Sequence, residues 1–290
     1  GAAPFPRLQA SLTTQLGQWQ TSFNTIIAGW PSNRNAVINN YDADGKVISS
    51  EKEDYVESQK WLNLTGEGSR ELSGGKLSVN GYVYSHIWLR ESEQDIYNAI
   101  NQAQINTNRE LIQDNRNMTV ELGADWAKTY DHWKLRLIGL GMLKDVVADN
   151  KFAIFNTNKS NFTSHDIQDS QKTELVSRIT LAKVSNTDFK PEFGIELANN
   201  KLDSSLVLYQ NGVLQASQVN DKVLVEEIRG EIFASFVVKA SNELTLEGGL
   251  TAEFSQIEVT SVKNQKQDFS FIKPRLSSTY KFNAKSQLSV

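Results

Sequence analysis

Alternation of apolar and polar residues in the stretch "ELTLEGGLTAEF", residues 243–254, constrains the fold more than any other feature. Leu244, Leu246, Leu250 and Phe254 recur at alternate positions together with small residues, and glutamates and threonines stand between them. Successive side chains of a β-strand point to opposite faces, so the stretch predicts a strand with one apolar and one charged face. Such a strand fits either a soluble sandwich or a membrane barrel.

The two neighbouring stretches, residues 227–239 and 269–282, alternate in the same way. Gly248 and Gly249 remove side-chain packing from the middle strand and predict a bend or bulge there. The three strands together present two opposed sets of side chains. The apolar set is Ile232, Phe236, Leu244, Leu246, Leu250 and Phe254, and the charged set is Arg229, Glu231, Glu243, Glu247, Glu253, Lys273 and Arg275.

Similar stretches recur along the chain, so residues 1–290 are expected to form one all-β domain without an internal boundary. The pattern predicts about eleven complete strands in an antiparallel meander and a twelfth that begins at Leu288. The upstream strands are expected near 7–16, 19–29, 53–64, 76–90, 118–128, 132–143, 173–184 and 189–208.

The predicted connections are of two kinds, long polar loops and short turns, the turns being expected at 17–18, 130–131, 185–188, 240–242 and 283–286. Loops are expected at 30–52, 91–117 and 144–172, all at the same end of the sheet. Long structureless loops are uncommon in compact domains, so they argue against an ordinary sandwich. Within the first loop, Asp44 and Gly45 are expected at the tip of a small hairpin, because the residues that follow lack the ligands of a calcium loop.

The predicted strand lengths favour the membrane barrel. An apolar band ~25 Å tall needs about ten tilted residues, and the predicted strands run from about ten to about sixteen. In a barrel, the apolar set would face lipid and the charged set a watery lumen, where ion pairs with neighbouring strands would hold the carboxylates. Aromatic residues near strand ends would either form an interfacial girdle or pack as ordinary hairpin residues: Trp19, Trp30, Trp61, Trp88, Trp126, Tyr130 and Trp133.

Composition excludes several other classes of protein. The longest nearly apolar run, residues 137–143, is far shorter than the ~18 residues that a membrane helix needs. The net charge is -4 and the basic residues are scattered, so the sequence shows no basic patch that would bind nucleic acid. The chain has no cysteine, which excludes disulfides and cysteine-based metal or nucleophilic sites.

No catalytic or metal-binding constellation can be assembled from the sequence. His86, His132 and His165 are far apart and show no metal-ligand spacing, and no G-x-S-x-G nucleophile elbow occurs. The glutamates of the charged set follow one strand without the cleft that paired acid and base catalysis needs. We therefore expect no catalytic residue, no metal and no cofactor, and we do not expect an enzyme.

Three phrases in the last hundred residues resemble the later barrel strands of TonB-dependent outer-membrane receptors. They are "PEFGIELANNKLDSSLVLYQNG", "VEEIRGEIFASFVVKASNELTLEGGLTAEFSQIE" and "FSFIKPRLSSTYKFNAKSQLSV", and "RELSGGKLSVNGYVYS" at 70–85 is similar to an earlier hairpin of the family. The resemblance implies a 22-stranded transmembrane barrel with a plug in its lumen. It also implies energised uptake of a scarce nutrient, such as a ferric siderophore, across the bacterial outer membrane.

The chain departs from the whole family pattern in ways that indicate a fragment covering about half the barrel. A signal peptide, a TonB-binding box, the plug and a terminal aromatic residue are not recognised in it. The implied partners are outer-membrane lipid, the plug of the same parent chain, TonB through the missing N-terminal part, and a small nutrient. Two other functions stay open: a soluble or surface-attached all-β binding module, such as an adhesin or lectin, and, less favoured, an outer-membrane enzyme.

Overall fold

Every regular element in the computed structural model is a β-strand, and the structure describes residues 7–98, 105–156, 161–185, 187–215, 222–283 and 286–290. Over these residues, no helix is long and apolar enough to cross a membrane. The strands are β1 (Leu8–Leu16), β2 (Trp19–Tyr41), β3 (Val47–Leu72), β4 (Gly75–Asn98), β5 (Ile105–Tyr130), β6 (Trp133–Asn156), β7 (Phe162–Lys183), β8 (Phe189–Gln210), β9 (Val213–Leu214), β10 (Lys222–Lys239), β11 (Leu244–Thr260), β12 (Gln265–Asn283) and β13 (Ser286–Ser289).

The 13 strands form one antiparallel sheet, and neighbours in the sheet follow each other along the chain. The exception is the two-residue strand β9, which pairs with β8 beside the main path, so that β8 pairs with β10. The long strands match the predicted eleven in order, and β13 begins two residues before Leu288, so the predicted antiparallel meander is confirmed. Among the described residues, β1 pairs with β2 alone and β13 with β12 alone, so the sheet is open.

The long polar loops predicted at 30–52, 91–117 and 144–172 are wrong, because their described residues lie almost entirely in strands. The ladder between β2 and β3 continues from Gln20 opposite Ser69 to Asn40 opposite Ser49. Both faces of these extensions are largely polar, so the period-2 apolar signal disappears although backbone pairing continues. Residues 99–104 and 157–160 of the predicted loops lie outside the described part of the chain.

Short turns join the strands at one end of the sheet, here called the turn end; the opposite end is the far end. The links predicted at 17–18 and 240–242 lie at the turn end, and the one predicted at 130–131 lies there one residue later. The described residues 185, 187 and 188 of the link predicted at 185–188 also lie at the turn end, and residue 186 lies outside the described part. Ser73 and Gly74 both have positive φ angles, 53° and 73°, as a two-residue type I′ hairpin requires. The turn predicted within residues 283–286 includes residues 284 and 285, which lie outside the described part.

The stretch from Asp42 to Lys46 is a turn, as the sequence predicts. Oδ1 of Asp42 accepts hydrogen bonds from the backbone N–H groups of Asp44 at 3.0 Å and Lys46 at 2.8 Å, and Gly45 has a φ of 79°. The side chain of Asp42 thus stabilises the turn itself. The hairpin that it closes consists of the full strands β2 and β3 and is much larger than predicted.

The sheet is a single layer with almost no core. Ala28, Tyr55 and Ala198 are the buried apolar residues of the described part. Contacts between elements are confined to strands that are hydrogen-bonded neighbours. A soluble sandwich buries the apolar faces of two sheets against each other, so the described residues exclude the sandwich expected for a soluble adhesin-like or lectin-like module.

Gly248 accommodates an aromatic ring, and the bulge that was one of the two alternatives predicted at Gly248 and Gly249 is absent. The register between β10 and β11 runs without a shift along both strands. Phe236 lies opposite Gly248, and a Cβ atom on Gly248 would come within 2.5 Å of the ring atom Cζ. The ring therefore occupies the space that a side chain would fill.

Gly248→Ala is expected to lower the free energy of unfolding by about 1 kcal/mol, because the new methyl group displaces the Phe236 ring. Gly139 offers a matched control on β6, since a Cβ atom there meets no atom within 4 Å. Gly139→Ala should change stability by at most about 0.5 kcal/mol. Urea unfolding of both variants measures the difference, and equal shifts would contradict the role given to Phe236.

Candidate functional site

The apolar set predicted from the sequence lies on one face of the sheet, here called the apolar face. Ile232 pairs with Ala252, and Phe236 with Gly248, so the even-numbered residues of β10 and β11 point the same way. Ile232, Leu250 and Phe254 are each more than half exposed. Following the register from strand to strand assigns this face across the whole sheet.

The apolar face carries a band without charged side chains, here called the apolar band. It covers residues 133–143 on β6, 228–238 on β10, 244–254 on β11 and 272–282 on β12. Each of these four stretches has about eleven residues, which at ~3.3 Å per residue would rise about 25 Å at the tilt of about 40° typical of strands in membrane barrels. That height equals the lipid-facing band of an outer-membrane barrel.

Charged residues return on the apolar face toward the far end. The first ones beyond the band are Lys60 on β3, Glu91 on β4, Arg116 on β5, Asp145 on β6 and Glu226 on β10. Both signs of charge occur along this margin. The band therefore has a defined upper limit, above which the strands continue with water-compatible side chains on the same face.

Arg116 and Asp114 form an ion pair on β5 beyond this limit. Nη2 of Arg116 donates to Oδ2 of Asp114 at 2.8 Å, and Nε donates to Oδ1 at 3.1 Å. These hydrogen bonds lower the pKa of Asp114 below its ordinary value. The pair therefore stays charged at neutral pH, which suits an aqueous position outside the apolar band.

Aromatic residues mark the turn end of the apolar face. Trp19, Trp126, Tyr130 and Trp133 lie on this face, each within a few residues of a turn. Nε1–H of Trp126 donates a hydrogen bond to the backbone oxygen of Leu72 at 3.0 Å, which anchors the ring beside the hairpin turn. Rings with one polar edge favour the headgroup level of a bilayer, so these four fit the predicted girdle.

The other three predicted girdle residues do not belong to it. Trp30, Trp61 and Trp88 lie on the opposite face, because each differs by an odd number of positions from the apolar-face residues of its strand. These three residues also lie farther from the strand ends than predicted, because β2, β3 and β4 continue beyond them. The sequence indicated the residue type correctly but could not resolve the face.

The predicted charged set, apart from Glu243, lies on the face opposite the apolar face, here called the polar face. Glu253 is 7% exposed, and Nζ of Lys273 contacts its carboxylate. Nη2 of Arg275 lies 3.4 Å from Oε2 of Glu247. The predicted ion pairs between neighbouring strands are thus present, whereas Glu243 lies in the turn before β11.

Glu196, on β8, is the centre of an ion-pair group that the sequence analysis did not single out. Its Oε2 lies 3.4 Å from Nη1 of Arg178 on β7, and its Oε1 lies 3.3 Å from Nη2 of Arg229 on β10. Arg229 also lies 3.9 Å from Glu231, and the Arg178 guanidinium covers the ring of Phe233 at 4.6 Å. One carboxylate therefore links three strands on the polar face.

A second polar-face group lies toward the far end and is centred on Tyr55. The guanidinium carbons of Arg34 and Arg90 lie 5.0 and 4.9 Å from its ring centroid. Glu53 accepts hydrogen bonds from Arg90 at 3.1 Å and from the Ser92 hydroxyl at 2.9 Å. Sequence analysis missed this group because Arg34 was placed in a loop and its partners come from other strands.

The three histidines lie apart, as the sequence indicates. His86 is on the polar face beside Tyr84, with 6.2 Å between ring centroids, and His132 is in a turn. Nε2 of His165 lies 2.9 Å from Oδ1 of Asp149 near the far end. The described residues contain no group of three or more histidine or acidic side chains that could hold a metal ion.

Comparisons with known proteins give a likeness at the level of the fold. No protein-family model and no curated protein sequence matches the chain. Among solved structures, the chain is similar to the closed form of the ferric-catecholate import receptor Fiu from E. coli K12, with a TM-score of 0.54 and 8% identity. The match covers 99% of this chain and 49% of the receptor, so the chain spans about half of that protein's length.

Proposed function

We propose that this chain forms part of the barrel wall of a TonB-dependent receptor in the bacterial outer membrane. The observation that carries the proposal is the apolar band, about 25 Å tall on a single-layer sheet whose other face is charged. Hydrocarbon would contact Ile232, Leu250 and Phe254, and water in a lumen would contact the polar face. The fold-level similarity to the Fiu receptor supports the proposal.

The complete barrel in this proposal has 22 strands, and the eleven long strands here supply about half. Pairing with further strands would satisfy the edges of β1 and β13, since a bilayer does not tolerate unpaired strand edges. A plug from the same parent chain would fill the lumen and contact charged groups of the polar face, such as Glu196 and Arg229. TonB would act on that plug through an N-terminal part of the parent chain.

The proposed substrate is a scarce nutrient such as a ferric siderophore; the Fiu receptor is described as importing a ferric catecholate. The group around Tyr55 is a candidate contact for this substrate near the far end, where Arg34 lies over the aromatic ring and Arg90 is paired with Glu53. The mechanism would be binding followed by gated passage. We propose no covalent chemistry for the barrel and no bound cofactor.

Deletion of the parent gene from its host is expected to abolish uptake of at least one radiolabelled ferric siderophore, with recovery when the gene is restored. Recovery should fail in a host without TonB, because passage through a plugged barrel needs energy. Fractionation on a sucrose gradient should place the protein with the outer membrane. Unchanged uptake of every ferric siderophore tested would contradict the substrate class, and a soluble protein would contradict the barrel.

A further inference from the structure

A trough crosses strands β2 to β5 on the apolar face, near the turn end. Phe23, Gly66, Gly81 and Leu122 are consecutive register partners on β2, β3, β4 and β5. Two adjacent glycines thus lie between two large apolar side chains, and Gly68 continues the floor toward the turn end. The trough has a volume of about 510 Å³. Its floor is two strands wide, about 10 Å, which is enough for one hydrocarbon chain.

The glycines of the trough are covered less closely than Gly248, and an added Cβ atom on Gly68 would lie 3.2 Å from the Trp19 ring. At Gly248, the opposite phenylalanine ring lies over the glycine, so that a Cβ atom would collide with it at 2.5 Å. At Gly66 and Gly81, the nearest side-chain atoms would lie 3.3 Å from an added Cβ atom. Phe23 and Leu122 are 47% and 66% exposed, and they border the two glycines on either side.

Arg70 lies where the trough meets the turn end. It follows Gly66 and Gly68 at two-residue intervals on β3, so it points to the same face about 7 Å beyond Gly68. Its guanidinium carbon lies 5.1 Å from the ring centroid of Trp19, and its Nε atom is buried without a hydrogen-bond acceptor. Over the described residues, no carboxylate forms an ion pair with Arg70, so its donors are free for an anion.

The charges around this margin also favour an anion. From the turns to the far limit of the apolar band, outward positions of the described strands carry Arg70, Lys128 and Lys183 but no carboxylate. The far margin, in contrast, carries both signs, for example Lys60 and Glu91. Guanidinium groups bind phosphate through paired hydrogen bonds, and basic residues attract anionic lipid surfaces.

We propose that the trough binds one acyl chain of an anionic membrane phospholipid, whose phosphate is held by Arg70 beside Trp19. This inference rests on the proposed membrane location, because only a lipid-facing trough would meet an acyl chain. Three observations carry it together. The trough is apolar and wide enough for one acyl chain, an arginine without an acidic partner lies at its end, and the charged residues at outward strand positions near the turn end are all basic.

Native mass spectrometry of the detergent-solubilised parent protein, in which this chain is part of the complete barrel, tests the proposal by titration with phosphatidylglycerol or phosphatidylcholine. The unmodified chain should retain one phosphatidylglycerol with at least tenfold preference over phosphatidylcholine. Arg70→Ala should weaken phosphatidylglycerol binding about tenfold, which corresponds to about 1.4 kcal/mol. Gly81→Leu, which fills the trough, should weaken binding of both lipids.

Lys183→Ala is the matched control, because Lys183 is also an outward cation near the turn end but lies two strands from Leu122. It should bind phosphatidylglycerol within twofold of the unmodified chain. Equal losses for Arg70→Ala and Lys183→Ala would show general surface attraction and overturn the site. Binding that is unchanged by both Arg70→Ala and Gly81→Leu would overturn it as well.

Flotation with phosphatidylcholine vesicles separates failure of this inference from failure of the proposed function. If the unmodified parent protein does not float, it does not insert, and both proposals are overturned. If every variant floats and no variant changes lipid retention, the lipid site alone is overturned.

Arg70→Lys supplies a further test. It keeps the charge but loses the paired donors, so its affinity for phosphatidylglycerol should fall between those of the unmodified chain and Arg70→Ala.

Discussion

Replacement of Ile232 by arginine is expected to destabilise the membrane-inserted sheet by about 2–4 kcal/mol. Ile232 is 58% exposed in the middle of the apolar band, so the new guanidinium would face hydrocarbon. Unfolding by urea from phosphatidylcholine vesicles, followed by tryptophan fluorescence, measures the loss as a lower midpoint. The fraction of chain that floats with the vesicles should fall in parallel.

Ser235→Arg is the matched control for this experiment. Ser235 lies three residues from Ile232 on the same strand but on the polar face, where its register partner on β8 is Glu192. An arginine there meets water and a carboxylate, so stability should change by less than about 1 kcal/mol. Equal destabilisation by both arginines would contradict the assignment of the two faces, and an unchanged Ile232→Arg variant would contradict the lipid contact.

Replacement of Glu196 by alanine is expected to lower the free energy of unfolding by about 2 kcal/mol. Its side chain is 15% exposed and accepts hydrogen bonds from both Arg178 and Arg229. Without it, two guanidinium groups on neighbouring strands lose their shared acceptor and repel each other. The urea midpoint of the variant in vesicles gives the loss, while its circular dichroism spectrum at zero urea should remain that of a β-sheet.

Arg275→Ala serves as the control for an exposed pair. Arg275 and Glu247 also form an ion pair across strands, but their side chains are 77% and 43% exposed. Exposed pairs contribute little, so this variant should lose at most about 0.5 kcal/mol. A loss as large as that of Glu196→Ala would show that burial does not govern these polar-face pairs.

The strands β10, β11 and β12 were predictable because their apolar alternation is uninterrupted. Ile232, Leu250 and Phe254 fall on one face, and Glu253 and Lys273 pair on the other, as the period of two requires. This prediction needs only local information. Each side chain's face follows from its position in the strand, and short turns leave antiparallel pairing as the simple connection.

The far halves of the strands were not predictable in the same way. In β2 and β3, polar residues occupy both faces, for example from Asn33 to Asn40 on β2. Alternation then carries no signal, and the backbone ladder with the neighbouring strand keeps the segment extended. The group around Tyr55 was missed for this reason, since its members come from three such strands.

The sequence alone determined that the chain forms consecutive antiparallel strands with one apolar and one charged face, because that property depends on residues two positions apart. The tertiary structure decided which side chains meet across strands. Glu196 joins Arg178 and Arg229 from 18 and 33 residues away, and Gly66 meets Gly81 only through the register of β3 with β4. Such contacts depend on the register between strands, which the turns and the pairing of whole strands set and which the alternation within one strand does not show, and so the ion-pair group and the trough emerged only from the folded sheet.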